Sequence, residues 1–307
     1  MFDVVSVGSA TVDVFAHTDK KFVKKKEYHF PVGSKILVHK IDMATGGGGT
    51  NTAVCFARLG LKTAFIGKIG CCDNSNWILD QLKSEKIDTS LMVISKKGQA
   101  GYSMIIDAEK TDRTIFVYKG LNEEFKFKDI NLKKMKTKWM YLCAFTDKSF
   151  DESKKLARWA HKQGIKIAFN PSCYISSKGY KYLKGIIDVT DILVLNEDEA
   201  SDIVKGKGPQ QLAKNLHELG PSIVVVTCAK KGAWAFDGEC FYHTHAKNKK
   251  IVETTGAGDA FASTFVGALI KGKSVKNAMD IAQKNATSVI ANVGAKNILL
   301  PWNKLAK

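Results

Sequence analysis

Two short stretches of the 307-residue chain carry residue types suited to chemistry on an anion and a hydroxyl. The later one, Thr254-Thr255-Gly256-Ala257-Gly258-Asp259-Ala260-Phe261, stands ahead of a strongly helical segment. Small residues at 256–258 let successive backbone N–H groups point outward at a helix start, where unpaired donors and the helix dipole together stabilise an anion. Asp259 then falls in the first helical turn. Its carboxylate could accept the proton of an attacking hydroxyl while the amides hold the charge that gathers on a transferring phosphoryl group. Capping the helix is the other use an aspartate finds at such a position. The earlier stretch, Gly46-Gly47-Gly48-Gly49-Thr50-Asn51-Thr52-Ala53, runs into the helical pattern VCFARLG, which ends at Gly60. Four glycines without side chains let the backbone come close to a ligand just as a helix begins, and a flexible turn would use them equally well. Asn51 adds an amide that can both donate to and accept from a hydroxyl. The GK[ST] ending of a Walker loop is missing, and the run is not the GxGxxG that follows a strand in a dinucleotide fold.

These stretches need a scaffold, and the rest of the chain describes one. Short apolar runs rich in β-branched residues, at 2–7, 63–69, 139–143, 165–169, 191–195 and 222–227, alternate with helical segments at 50–59, 75–86, 151–163, 197–204 and 209–218. That rhythm is the mark of a mostly parallel sheet with crossover helices. Two longer helices, 257–271 and 275–292, close the chain. Residues 15–42 and 98–119 break the rhythm: GYSMII and TIFVYKG alternate polar and apolar positions around AEKTDR, as antiparallel ribbons do. The expected division is therefore a main α/β domain of residues 1–14, 43–97 and 120–307, with 15–42 and 98–119 as a β-ribbon lid. Such a lid can keep water from a transferable phosphate.

Composition narrows the setting. No apolar run approaches the roughly 18 residues of a membrane span, so no membrane association is expected. The opening MFDVVSVGSATVDV lacks a basic n-region and reads as a core strand, which leaves the protein in the cytoplasm. Seven scattered cysteines without a CxxC pair argue against a disulfide framework or a zinc site. A net charge of +17 favours anionic partners such as nucleotides or phosphorylated metabolites. Nucleic acid is not expected, because the densest basic run, 20–26, holds one aromatic and no reader motif around it.

Taken together, the two stretches resemble the ribokinase (pfkB) family of carbohydrate and nucleoside kinases, which pairs a GGxxxN-type motif in the first half with a DTxGAGD motif in the second. The glycines at 46–49, then Asn51, Ala53, Gly60 and Gly70, follow that spacing. VGSATVD places Asp13 in the family's substrate position, Asn196-Glu197-Asp198-Glu199 is similar to its NxxE motif, and VVVTCAKKGAWAF, with Thr227 and Gly232, is similar to its TxGxxG segment. The resemblance covers nearly the whole chain. It implies a ribokinase-like three-layer α/β/α sandwich with a mostly parallel central sheet and a small β lid.

It also implies roles. Asp259 would be the base, with Gly256, Ala257 and Gly258 forming the anion hole. Asp13, Gly47, Gly48 and Asn51 would bind the acceptor, a ribose- or fructose-like sugar, with a nucleoside as the alternative. Asn196, Thr227, Gly232 and Asn285 would line the ATP site, and Glu199 would serve Mg²⁺. Several members also use a monovalent cation such as K⁺, but Glu253 stands here where an aspartate usually opens the second motif, and Thr264 replaces a small residue. The ribbons would pair between subunits into a homodimer.

Overall fold

A computed structural model of the protein describes residues 1–108, 113–143, 145–246, 256–291 and 294–306. The strands are β1 (Phe2–Val7), β2 (Thr11–Thr18), β3 (Val23–Lys24), β4 (Glu27–Tyr28), β5 (Lys40–Gly46), β6 (Thr63–Ile66), β7 (Lys68–Ile69), β8 (Val93–Ile94), β9 (Gly101–Ala108), β10 (Thr114–Tyr118), β11 (Thr137–Cys143), β12 (Lys166–Asn170), β13 (Ile192–Asn196), β14 (Ile223–Thr227), β15 (Ala233–Phe236) and β16 (Phe241–Thr244). The helices are α1 (Gly48–Arg58), α2 (Asp73–Ser84), α3 (Asp147–Lys162), α4 (Cys173–Ser176), α5 (Gly179–Ile187), α6 (Glu197–Ile203), α7 (Gly208–His217), α8 (Ala257–Ile270), α9 (Val275–Val289) and α10 (Trp302–Leu305).

Eight strands form the main sheet in the order β16-β15-β14-β13-β12-β11-β1-β6. From β14 to β6 every pairing is parallel, and the β15–β16 hairpin extends the edge antiparallel. Strands such as ILVLN and IVVVT are almost continuously apolar because both faces of a parallel sheet are covered by helices. One face packs on Leu156, Leu183, Ile186, Ala200 and Leu212 of α3, α5, α6 and α7. The other meets Phe56 of α1 together with Phe265, Val266, Met279 and Ala282 of α8 and α9. Helix α8 is apolar nearly all round, and its residues 260–268 are all buried, as a helix sandwiched between a sheet and a second helix must be. This is the three-layer architecture the sequence implied.

The sequence pattern missed the β15–β16 hairpin and α5, and it joined β6 to β7. A methyl group at Gly67 would lie 2.5 Å from the Phe65 ring, so the chain kinks there and the strand divides. A second sheet, in the order β10-β9-β2-β5, holds the ribbons. Its β2–β5 ribbon begins at Thr11 and ends at Gly46, so it reaches further inward than residues 15–42, straight into the glycine run. Part of the AEKTDR turn, 109–112, lies outside the described residues.

Candidate active site

Strand β5 leads through Gly46 and Gly47 directly into α1. Gly47 has φ +94°, and a methyl group there would sit 2.5 Å from the Ser9 carbonyl oxygen, so only glycine turns this corner. At Gly46 a methyl group would fall 1.9 Å from Asp13 Oδ2: the missing side chain is the room that the Asp13 carboxylate occupies. Asp13, on β2 and 9% exposed, also accepts from Thr11 Oγ1 at 3.1 Å. Asp13 and Gly46 are thus in contact, with Gly47, Gly48 and Asn51 next along the chain.

Asp259 approaches from the opposite half of the sequence. Asn51 Nδ2 donates to Asp259 Oδ2 at 2.9 Å, and a methyl group on Gly48 would lie 3.7 Å from Asp259 Oδ1. Only an NH₂ can face that carboxylate oxygen, which fixes the orientation of the amide. The other end, Asn51 Oδ1, is buried and without a hydrogen-bond partner among the described residues, an acceptor suited to a hydroxyl donor. Burial pushes the Asp259 carboxyl above its ordinary value, opposed by the Asn51 hydrogen bond and by the Lys296 charge.

Gly256 sits at φ +79° as the N-cap of α8, and a methyl group on it would strike Ala295 at 2.3 Å. The first backbone bond of the helix runs from Ala260 N–H to Gly256 O. Among the described residues the amides of Ala257, Gly258 and Asp259 donate to nothing. Among the described residues nothing lies within 4 Å of where a Gly258 side chain would begin. Among them the turn therefore offers three amides without partners, beside open space. Glu253, Thr254 and Thr255 lie outside the described residues.

The residues expected at the nucleotide sit on the carboxyl ends of β13 and β14, where Asn196 and Thr227 are paired across the sheet. Open α/β sheets bind ligands at this edge. Asn196 and Glu199 form a reciprocal capping box on α6: Asn196 Oδ1 accepts from Glu199 N–H at 2.8 Å, and Glu199 Oε2 accepts from Asn196 N–H at 3.0 Å. Burial raises the Glu199 carboxyl to about 6 despite that N–H. Its Oε1 takes no part in the box, so the donor set fits a hard cation held chiefly by phosphate oxygens and water. Among the described residues no three His, Cys, Asp or Glu side chains cluster as a metal cage. Gly232 has φ +88°, and a methyl group there would meet the Thr244 carbonyl oxygen at 1.9 Å, so packing against β16 already demands a glycine.

Asn285, expected at the ATP site, is engaged inside the fold. It is fully buried; its Nδ2 donates to Thr264 Oγ1 at 2.7 Å, and its Oδ1 accepts from Leu300 N–H at 2.9 Å and from Ser288 Oγ at 3.3 Å. Its amide ties α8, α9 and the segment after α9 together, so both of its ends are already engaged within the fold. Thr264, read as a departure from the family pattern, is its partner.

Three residues escaped the sequence reading. Asn122 pins the start of β2 by accepting from Ala10 N–H and donating to Ala10 O, both at 3.0 Å. Thr50 Oγ1 donates to Gly46 O at 2.6 Å, which locks the corner between β5 and α1. Lys296, 2% exposed, donates from Nζ to Thr50 Oγ1 at 2.9 Å. In a chain with 47 Lys and Arg, nothing local separates this lysine from the solvated ones.

The chain matches the family model of the pfkB family carbohydrate kinases over residues 1–303. It is 26% identical over 307 residues to the 5-dehydro-2-deoxygluconokinase of Bacillus velezensis, covering 94% of this chain and 89% of that one. Its fold is similar to that of the Methanocaldococcus jannaschii nucleoside kinase, an archaeal member of the ribokinase family, with a TM-score of 0.85 at 22% identity over 100% of this chain and 97% of that one. The Arabidopsis thaliana ribokinase complexed with ribose and ATP gives a TM-score of 0.82 at 21% identity, over 99% and 97%.

Proposed function

The chain belongs to the pfkB family of carbohydrate kinases, and from that membership we propose that it moves the γ-phosphate of ATP onto a hydroxyl of a small ribose- or fructose-like sugar, with Asp259 as the base. The observation that carries this reading is the 2.9 Å bond from Asn51 to Asp259 at a helix start with three free amides. Asp13 accepts from vicinal hydroxyls of the acceptor, and Asn51 Oδ1 from another. The reacting hydroxyl is aimed from the Asp259 side, and its proton passes to the carboxylate late, because the transition state of such a transfer is loose. The amides of Ala257, Gly258 and Asp259 stabilise the charge of the migrating group. Thr227, Asn196 and Gly232 would border the nucleotide, and Glu199 would help hold a hydrated Mg²⁺. Such an ion would supply neutralisation of the phosphate charge.

Comparing kcat/KM across a panel of sugars, sugar acids and nucleosides with ATP tests this reading. Preference for a ribose- or fructose-like sugar supports it. Preference for a nucleoside moves the acceptor to the second reading, which the fold likeness to the archaeal nucleoside kinase favours. Phosphorylation of none of them overturns the proposal.

We infer a homodimer through the lid. Register across the second sheet aligns Phe116, Met104, Val14 and Met43 in one row. Three of them, Phe116, Met104 and Met43, are exposed, on the face opposite Asp13. Light scattering tests this: a monomeric mass for the purified protein refutes it. Among the described residues no helix is long and apolar enough to cross a membrane, and the free thiols of the chain suit the cytoplasm.

A further inference from the structure

Lys296 carries a buried amino group to Thr50 in the first turn of α1, where Gly46 touches Asp13 and Gly48 lies beside Asp259, and three independent anchors hold the segment that carries it. Arg58, at the end of α1, donates from Nη1 to the Lys296 carbonyl at 2.8 Å, while its Nη2 pairs with Glu85 at 2.5 Å. Ser288 Oγ donates to Ile298 O at 2.9 Å, and Asn285 accepts from Leu300 N–H. Ala295, the preceding residue, packs on Gly256 at the anion turn. The backbone of this segment is therefore tied to the carboxyl end of α1, while the side chain runs back to Thr50 in its first turns.

That placement is uphill on two counts. A lysine with 2% exposure has lost its water, and a cation near a helix amino terminus opposes the dipole. Burial accordingly lowers its proton affinity to about 7, and the opposing contributions come from Asp13 first, then Glu85 and Asp259, with Arg58 acting against them. Thr50 Oγ1 has spent its own proton on Gly46 O, so it can only accept from Lys296. The lysine thus reaches the corner that Gly46 shares with Asp13, while its field lowers the proton affinity of Asp259.

We propose that Lys296 is a positioning residue for the transfer: its buried amino group is the counter-charge that lets Asp13 and Asp259 share one pocket in their ionised forms, and it holds Thr50 at the turn between them. The amino group acts through the carboxylates without touching the acceptor. This rests on the kinase reading above, so its test includes a measurement that needs no turnover.

The first arm compares kcat/KM for the acceptor in wild type and Lys296→Met from pH 6 to pH 9, with melting temperature and MgATP binding as controls. Wild type should exceed the variant about tenfold or more at pH 6, the equivalent of one pKa unit on a carboxylate. The ratio should shrink toward one as pH rises and wild type loses its own ammonium. A ratio that stays constant across pH marks a merely structural lysine and overturns the proposal, as does full activity of the variant.

The second arm follows thermal stability against pH in wild type and Asp13→Asn. Between the folded and unfolded proton affinities of a depressed lysine the unfolded chain binds more protons, so stability rises with pH from about 7 toward the ordinary lysine value. Removing the Asp13 charge should start that rise at lower pH. An unmoved profile overturns the coupling, even where Lys296→Met fails to fold. Should wild type phosphorylate no acceptor at all, the kinase reading falls while the stability profiles still decide the lysine's role.

Discussion

Replacing Asp259 by asparagine changes one atom and should separate chemistry from binding. Asn51 Nδ2 at 2.9 Å requires an oxygen facing it, so the new amide turns its own NH₂ toward the acceptor hydroxyl. That group can donate to the hydroxyl oxygen but cannot accept its proton, so no base remains. Loss of a positioned base typically costs about 10²–10⁴-fold, or roughly 3–5 kcal/mol of transition-state stabilisation. The free amides of Ala257 and Gly258 stay in place, so MgATP should bind as before. Stability should not suffer. Because burial raises the Asp259 carboxyl, the folded state holds its proton more tightly than the unfolded one, and wild type loses stability as pH rises from about 4 through the folded value. The asparagine variant lacks that loss and should melt no lower at neutral pH. Single-turnover and steady-state kinetics with the preferred acceptor, alongside calorimetric nucleotide binding, measure both halves. A folded variant whose kcat stays within about tenfold of wild type removes Asp259 as the base.

Gly46→Ala should push its new methyl group into Asp13 and raise the acceptor KM about 10–100-fold with nucleotide affinity intact, as kinetics on both substrates will reveal. Asn285→Ala takes a donor from Thr264 and leaves the Leu300 amide unpaired in the core; urea unfolding should show a loss of about 2–4 kcal/mol, and an altered ATP KM would show a nucleotide role for this residue. Glu199→Gln keeps an oxygen for the Asn196 N–H but loses its charge. It should therefore need more Mg²⁺ for half-maximal rate, and an unchanged Mg²⁺ requirement would remove the metal role. Since the Glu199 carboxyl stands at about 6 in the folded state, wild type loses stability as pH rises from about 4.5 through 6, a loss the glutamine variant should lack in pH-dependent melting.

Local chemistry made much of this protein legible in one dimension. A Gly-Ala-Gly run followed by Asp259 and an unbroken apolar helix already specifies an anion-binding turn with a carboxylate in its first turn, because helix ends expose their amides wherever small residues leave them uncovered. Apolar β-branched runs alternating with helical segments likewise specified a parallel sheet, since both of its faces must be covered. Other features depended on which distant segments the fold brings together. Asn51 and Asp259 meet across 208 residues, and Lys296 reaches Thr50 across 246. Asn285 looked like a polar residue on a late helix with a ligand to find. Instead, the packing of α8 against α9 withdrew it from solvent and engaged both ends of its amide. Charge and hydrogen-bonding capacity are written in residue types, but burial is a property of the assembled layers. Only the folded chain decides which lysine among many loses its water and bonds to a buried threonine at the start of α1.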